Sequence, residues 1–210
     1  MKSGILGGTF DPPHRGHLEI AVRARSALAL DRVFFVPAYR PPHKQAVRSS
    51  PFSVRWEMLR AAIAGRPGFV ALDLEREREG PSYTADTLER LRTLHPEDEF
   101  WLIVGADSLV EMPEWRDPER IARLARIAVY PRSGSGNDAP DFLKDRVDRV
   151  PGPLCEVSSS EIRARVKRGA SARHLVPPAV WEIIRARGLY RSGSSAGHAP
   201  DGRTEEGGGS

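Results

Sequence analysis

Gly7-Gly8-Thr9-Phe10-Asp11-Pro12-Pro13-His14-Arg15-Gly16-His17 is the stretch that decides how this chain folds. It follows the apolar run Gly4–Gly7 and leads into an amphipathic segment reaching Leu30, so it reads as strand, turn and helix. The adjacent glycines let an anion approach the backbone with no Cβ in the way. The helix that follows offers free N–H groups and the positive end of its dipole. His14 and His17 are spaced so that both can face one spot across that helix start. No Gly-Lys-Ser/Thr closes the segment and no G-x-G-x-x-G runs through it, which excludes a Walker loop and the dinucleotide fingerprint.

Outward from this loop, apolar runs alternate with amphipathic segments, the pattern of a parallel sheet covered by helices. Strands are expected at Gly4–Gly7, Arg32–Val36, Phe69–Leu74, Phe100–Val104, Ile127–Tyr130 and Leu154–Val157. Helices are expected at Gly16–Leu30, Pro51–Ala64, Thr84–Leu94, Pro118–Leu124, Ser159–Lys167 and Pro178–Arg187, the last stopped by Gly188. Ser50-Pro51 and Asp117-Pro118 each place a capping side chain before a proline at the first helical position. Ser158 and Glu161 have the spacing of a capping box. Residues 1–190 are thus expected to form one α/β domain, a doubly wound parallel sheet with a small C-terminal helical piece. Residues 191–210 are Ser, Gly, Ala, Pro and charges with nothing to bury, and are expected to be a disordered tail. Arg132–Pro140 reads as an exposed loop.

Composition narrows the class. Apolar residues at 40% and charged residues at 29% of 210 fit a globular protein. No apolar run approaches the ~20 residues of a membrane-spanning helix, and MKSGILGGTF breaks too early for a secretory signal. A cytoplasmic protein with no membrane partner is expected. The single cysteine, Cys155, excludes an internal disulfide and a cysteine-based zinc site, and its apolar flanks suggest a small buried hydrophobe. The net charge of +4 suits anionic ligands, but the arginines are spread along the chain, which argues against nucleic acid.

Gly8-Thr9-Phe10-Asp11-Pro12 followed by His14-Arg15-Gly16-His17 resembles the H-x-G-H signature of the nucleotidyltransferase superfamily. Ser158-Ser159-Ser160-Glu161-Ile162-Arg163 resembles its second half, a hydroxyl-rich helix start ending in a cation. Between them, Pro41-Pro42-His43-Lys44, Glu79-Gly80-Pro81-Ser82-Tyr83-Thr84, and Val104-Gly105-Ala106-Asp107-Ser108 with Trp115 resemble the bacterial nicotinate-mononucleotide adenylyltransferase family. The third serine-motif position holds Ser160 where that family more often has threonine, and the Pro131–Asp148 stretch is richer in Gly and Ser than expected. The pantetheine-phosphate adenylyltransferases share the end motifs but are shorter, with threonine where His14 stands.

The resemblance implies a Rossmann-like nucleotidyltransferase fold and the reaction of ATP with nicotinate mononucleotide to give the dinucleotide and pyrophosphate. A phosphate oxygen attacks the α-phosphorus in line, so the enzyme supplies alignment and positive charge rather than a nucleophile. His17 is expected at the α-phosphate and His14 at the β or γ oxygens. Lys44 suits the attacking phosphate and Arg163 the leaving pyrophosphate. Ser158, Ser159 and Ser160 are expected to hold the distal phosphates, and Gly8, Thr9 and Phe10 to line the join between substrates. Trp115 is suited to stack on the pyridine ring. Main-chain N–H groups near Ser82, Tyr83 and Thr84 are suited to its carboxylate, and Gly105 and Asp107 to a ribose or base. No carboxylate cage is visible, so Mg²⁺ is expected to arrive with the ATP phosphates. Out of this context, Arg163 reads as a surface arginine, Lys44 as an exposed loop lysine, Trp115 and Tyr83 as core or lid aromatics, and Asp11 as a turn-stabilising carboxylate. Two other readings stand beside this one: transfer to a different phosphate acceptor, and a non-catalytic nucleotide-sensing or nucleic-acid-binding module.

Overall fold

In the computed structural model, which describes residues 1–40, 49–76, 80–131, 139–154 and 156–192, the first strand sits at the centre of the molecule. This is β1 (Lys2–Gly8), and its successive side chains Ile5 and Leu6 enter different cores on the two sheet faces. Burial on both faces is the reason its neighbours are continuous apolar runs rather than alternating ones. Those neighbours are β2 (Arg32–Pro37) and β4 (Glu99–Gly105), both parallel to β1. β3 (Phe69–Ala71) flanks β2, and β5 (Arg126–Tyr130) and β6 (Val147–Arg149) continue beyond β4. All six strands are parallel in the order β3-β2-β1-β4-β5-β6. The order reverses between β1 and β4, and ligands bind outside the carboxyl ends of strands at such a switch point.

Helices cover both faces. α1 (Arg15–Ala27), α2 (Phe52–Ile63), α6 (Ser159–Lys167) and α7 (Pro178–Ala186) bury Leu18, Met58, Ile162 and Ile184 with Val33 and Phe35 of β2. α3 (Thr84–Leu94), α4 (Ala106–Glu111) and α5 (Pro118–Leu124) bury Leu88, Leu109 and Ile121 with Phe34 and Val36. Gly4 is required by close approach. A Cβ there would stand 2.8 Å from Leu30 Cδ1, 3.0 Å from Ile103 Cδ1 and 3.3 Å from Val33 Cγ2. No helix among the described residues is long and apolar enough to cross a membrane.

The doubly wound parallel sheet is as the sequence predicts, with differences at its edge. The expected strand at Leu154–Val157 is absent: the described residues there are irregular, and Leu154 is 53% exposed. The sixth strand is instead Val147–Arg149, paired with Ile127–Val129. It has no apolar run because Asp148 is engaged by Trp101 Nε1 at 2.9 Å and by Arg126 at 2.7 and 2.9 Å. Pro51 rather than Ser50 stands at the cap of α2, with no side-chain cap bond. Ser50 uses its main-chain N–H on Asp11 Oδ2, at 3.0 Å. Asp117 caps α5 in the left-handed region (φ 53°) with Pro118 following, but its carboxylate makes no cap bond. Ser158 Oγ does accept from the Glu161 N–H at 3.1 Å, while the Glu161 carboxylate turns to Arg165 at 2.9 Å.

Candidate active site

A cleft of about 420 Å³ opens at the switch point, floored by Ile5–Gly8 of β1 and Leu102–Gly105 of β4. A Cβ added to Gly7 would meet no atom within 4 Å, so the floor is open to an approaching ligand. Gly8 lies over the Phe10 ring, with 3.3 Å from an ideal Cβ to Phe10 Cζ. Phe10 is buried and takes φ 50°, a left-handed conformation costly for a bulky residue.

His14 and His17 cap α1 reciprocally. The His17 N–H donates to His14 Nδ1 at 3.4 Å, and the His14 N–H donates to His17 Nδ1 at 3.2 Å. The rings stack with centroids 3.6 Å apart, and Phe10 packs edge-on against His17 at 4.9 Å. An Nδ1 that accepts a hydrogen bond carries no proton, so the proton of each neutral ring sits on Nε2. Both imidazoles line the cleft as N–H donors fixed in orientation before any substrate arrives.

The serine motif docks onto this loop. Ser159 Oγ donates to the Pro12 carbonyl at 2.9 Å. Arg163 donates to the Asp11 carbonyl at 2.8 Å and to Ser160 Oγ at 3.2 Å. The Asp11 carboxylate is buried and accepts from the Tyr190 hydroxyl at 2.6 Å and from the Ser50 N–H. Burial, with the Asp11 charge alongside, raises the Tyr190 phenol above its ordinary pKa and keeps it a donor. One buried carboxylate therefore joins the first loop, the approach to α2 and the turn that follows α7.

The other side of the cleft is lined by Ser82, Thr84, Thr87, Glu75, Ser108 and the half-buried Trp115. Glu75 Oε1 accepts from Thr87 Oγ1 at 2.7 Å and Oε2 from the Tyr39 N–H at 3.2 Å. Ser82 Oγ accepts from the Tyr39 and Arg40 N–H groups, each at 3.1 Å.

Residues 5–165 match the model of the cytidylyltransferase-like family. The chain is 45% identical over 190 residues to the probable nicotinate-nucleotide adenylyltransferase of Exiguobacterium sibiricum, covering 90% of this chain and 99% of that one. It is 43% identical over 189 residues to its counterpart in Geobacillus kaustophilus, covering 90% of this chain and 86% of the relative. The chain belongs to the nicotinate-nucleotide adenylyltransferase family. The nicotinic acid mononucleotide adenylyltransferase of Plasmodium falciparum, solved complexed with NaAD, shares the fold at a TM-score of 0.75 and 20% identity, covering 90% of this chain and 98% of that one.

In this adenylyltransferase, then, His14, His17 and Ser158–Ser160, expected at the ATP phosphates, and Gly8, expected at the join between substrates, all line the cleft. So do Ser82, Thr84, Gly105 and Trp115. Thr9, Phe10, Tyr83, Asp107 and Arg163 are not among its lining side chains. Phe10 lies beneath Gly8, Tyr83 caps α3 with the Arg116 guanidinium 4.5 Å over its ring, and Asp107 lies in the first turn of α4. Lys44 with Pro41–His43, Glu79, Cys155, residues 132–138 and residues 193–210 lie outside the described residues. Sequence reasoning missed Glu75, Thr87 and Arg55. Arg55 left the clearest signal, a cation on the apolar face of α2 among Val54, Met58 and Leu59.

Proposed function

We infer that this enzyme joins ATP to nicotinate mononucleotide, forming nicotinate adenine dinucleotide and releasing pyrophosphate. The observation that carries the reading is one cleft with two unlike halves. Imidazole and serine donors gather over a glycine floor on one side; an indole and small hydroxyls line the other. A triphosphate suits the first half, and a flat pyridine ring with a ribose phosphate suits the second.

A mononucleotide phosphate oxygen forms a bond to the α-phosphorus as the bond from that phosphorus to the bridging oxygen of pyrophosphate breaks. No proton needs to be removed from the attacking group. His17 donates its Nε2–H to the α-phosphate oxygens as charge gathers there, and His14 does the same toward the β or γ oxygens. Ser158–Ser160 and the start of α6 hold the distal phosphates through hydroxyls and N–H groups, with Arg163 fixing Ser160 beside the leaving pyrophosphate. Lys44 is assigned to the attacking phosphate, and main-chain groups of Gly8–Phe10 to the join between substrates. Trp115 stacks on the pyridine, with N–H groups of Tyr83 and Thr84 toward its carboxylate. Gly105 and Asp107 at the end of β4 are assigned to a ribose or base. Asp11 and Glu75 are already committed to protein donors, so Mg²⁺ is carried by the phosphates rather than by a protein cage. The ion supplies charge neutralisation on the triphosphate. Residues 191–210 take no part in this scheme.

Pyrophosphate release from ATP and Mg²⁺, measured with nicotinate mononucleotide, nicotinamide mononucleotide and phosphopantetheine, tests the reading. Release dependent on the nicotinate form is expected. Release only with another acceptor changes the substrate, and none with any acceptor removes the reaction.

A further inference from the structure

We propose that Arg55 is a positioning residue for the mononucleotide half of the cleft, acting through Ser82; the assignment rests on the reaction inferred above. Arg55 belongs to α2, is 2% exposed, and is not among the side chains lining the cleft. Its guanidinium collects four main-chain carbonyls. Nε donates to Ser50 O at 3.0 Å, Nη1 to Thr9 O and Ala38 O at 2.8 Å each, and Nη2 to Tyr39 O at 3.4 Å. These carbonyls come from the loop after β1, the segment after β2 and the approach to α2. Burial lowers the guanidinium pKa, and the nearby Asp11 and Glu75 charges oppose that; starting so high, the group stays a cation at neutral pH.

A trans peptide sends its C=O and the following N–H in opposite directions. With the Ala38 and Tyr39 oxygens drawn to Arg55, the N–H groups of Tyr39 and Arg40 are turned the other way. There both meet Ser82 Oγ, and the Tyr39 N–H also meets Glu75. The Ser82 N–H returns to the Arg40 carbonyl at 3.0 Å. The segment is thus held from two sides, by Arg55 behind it and by two cleft-lining side chains in front. The same four bonds keep the negative ends of four peptide dipoles on a buried cation, a benefit in a site that receives two phosphate-bearing anions. Lysine would keep the charge, but a single ammonium cannot span acceptors that the planar fork spans.

Steady-state kinetics of Arg55→Lys, with ATP and nicotinate mononucleotide varied separately and melting followed in parallel, test the assignment. The mononucleotide KM should rise about tenfold while the ATP KM moves by less than about threefold. Ser82→Ala should give the same selective rise, and the double variant no further rise. A lower melting temperature with both KM values unchanged, or raised equally, makes Arg55 a stability residue only and overturns the proposal. Should Arg55→Lys not fold, Ser82→Ala decides: a wild-type mononucleotide KM overturns the proposal and a selective rise supports it. Wild-type enzyme inert toward nicotinate mononucleotide would instead sink the functional reading, and the Arg55 assignment with it.

Discussion

His14 and His17 do the work that serine, threonine or aspartate usually does at a helix start, each ring nitrogen taking the other residue's N–H. The capping bonds fix both ring planes and put the remaining proton of each ring on Nε2. Replacing His17 with alanine removes a preoriented donor and one cap together, and the two losses separate in experiment. Loss of the cap should lower stability by about 0.5–2 kcal/mol. Loss of the donor should lower kcat by about 10²–10³, as for other donors aimed at developing charge. Near-wild-type turnover in a folded His17→Ala enzyme would remove the imidazole from the transition state. Trp115→Ala should raise the mononucleotide KM several times more than the ATP KM, and equal rises would end the stacking assignment.

Between elements, the fit is close where β1 passes under Leu30 and beside Ile103 and Val33. Gly4→Ala puts a methyl into a space bounded on three sides by buried side chains, and should cost about 1–3 kcal/mol in urea denaturation with the cleft chemistry intact. A variant as stable as the parent would show that Leu30 yields. The same closeness explains what could be read in the sequence. Runs buried on both faces, such as Phe100–Val104, announce themselves, and the first loop carries its glycines and histidines within the one short stretch Gly7–His17. β6 could not be read, because three residues stabilised by Asp148, Trp101 and Arg126 leave no hydrophobic pattern. The apolar Leu154 misled for the opposite reason, being exposed. Glu75, Thr87 and Arg55 come from separate segments, and their roles exist only once distant carbonyls and hydroxyls have been brought together.

Across the whole molecule, the sheet end remote from the cleft is fastened by Asp98. Its carboxylate accepts from Ser3 Oγ at 2.5 Å, Arg32 at 2.6 Å and the Met1 amine at 3.3 Å. Burial opposes ionisation there, but these donors outweigh it and hold the carboxyl at about 2, below the ordinary 3.8. A depressed acid contributes stability that is fully present above its ordinary value and fades as pH falls toward the folded one. Wild type should therefore exceed Asp98→Asn by about 2 kcal/mol in denaturation at pH 6, and the gap should narrow from pH 4 to pH 2. A gap independent of pH would mean that shape, not charge, accounts for it.

The bond from Tyr190 to Asp11 spans 179 positions of sequence. Proteins are synthesised from the N-terminus, so the loop proposed to hold phosphate leaves the ribosome long before the phenol that braces it. A growing chain has the glycines, the histidines and the Ser50 N–H early, yet the buried carboxylate waits for the phenol until residue 190 has emerged. The loop is then braced from both sides only after residue 190 has emerged, not as soon as its own residues are made.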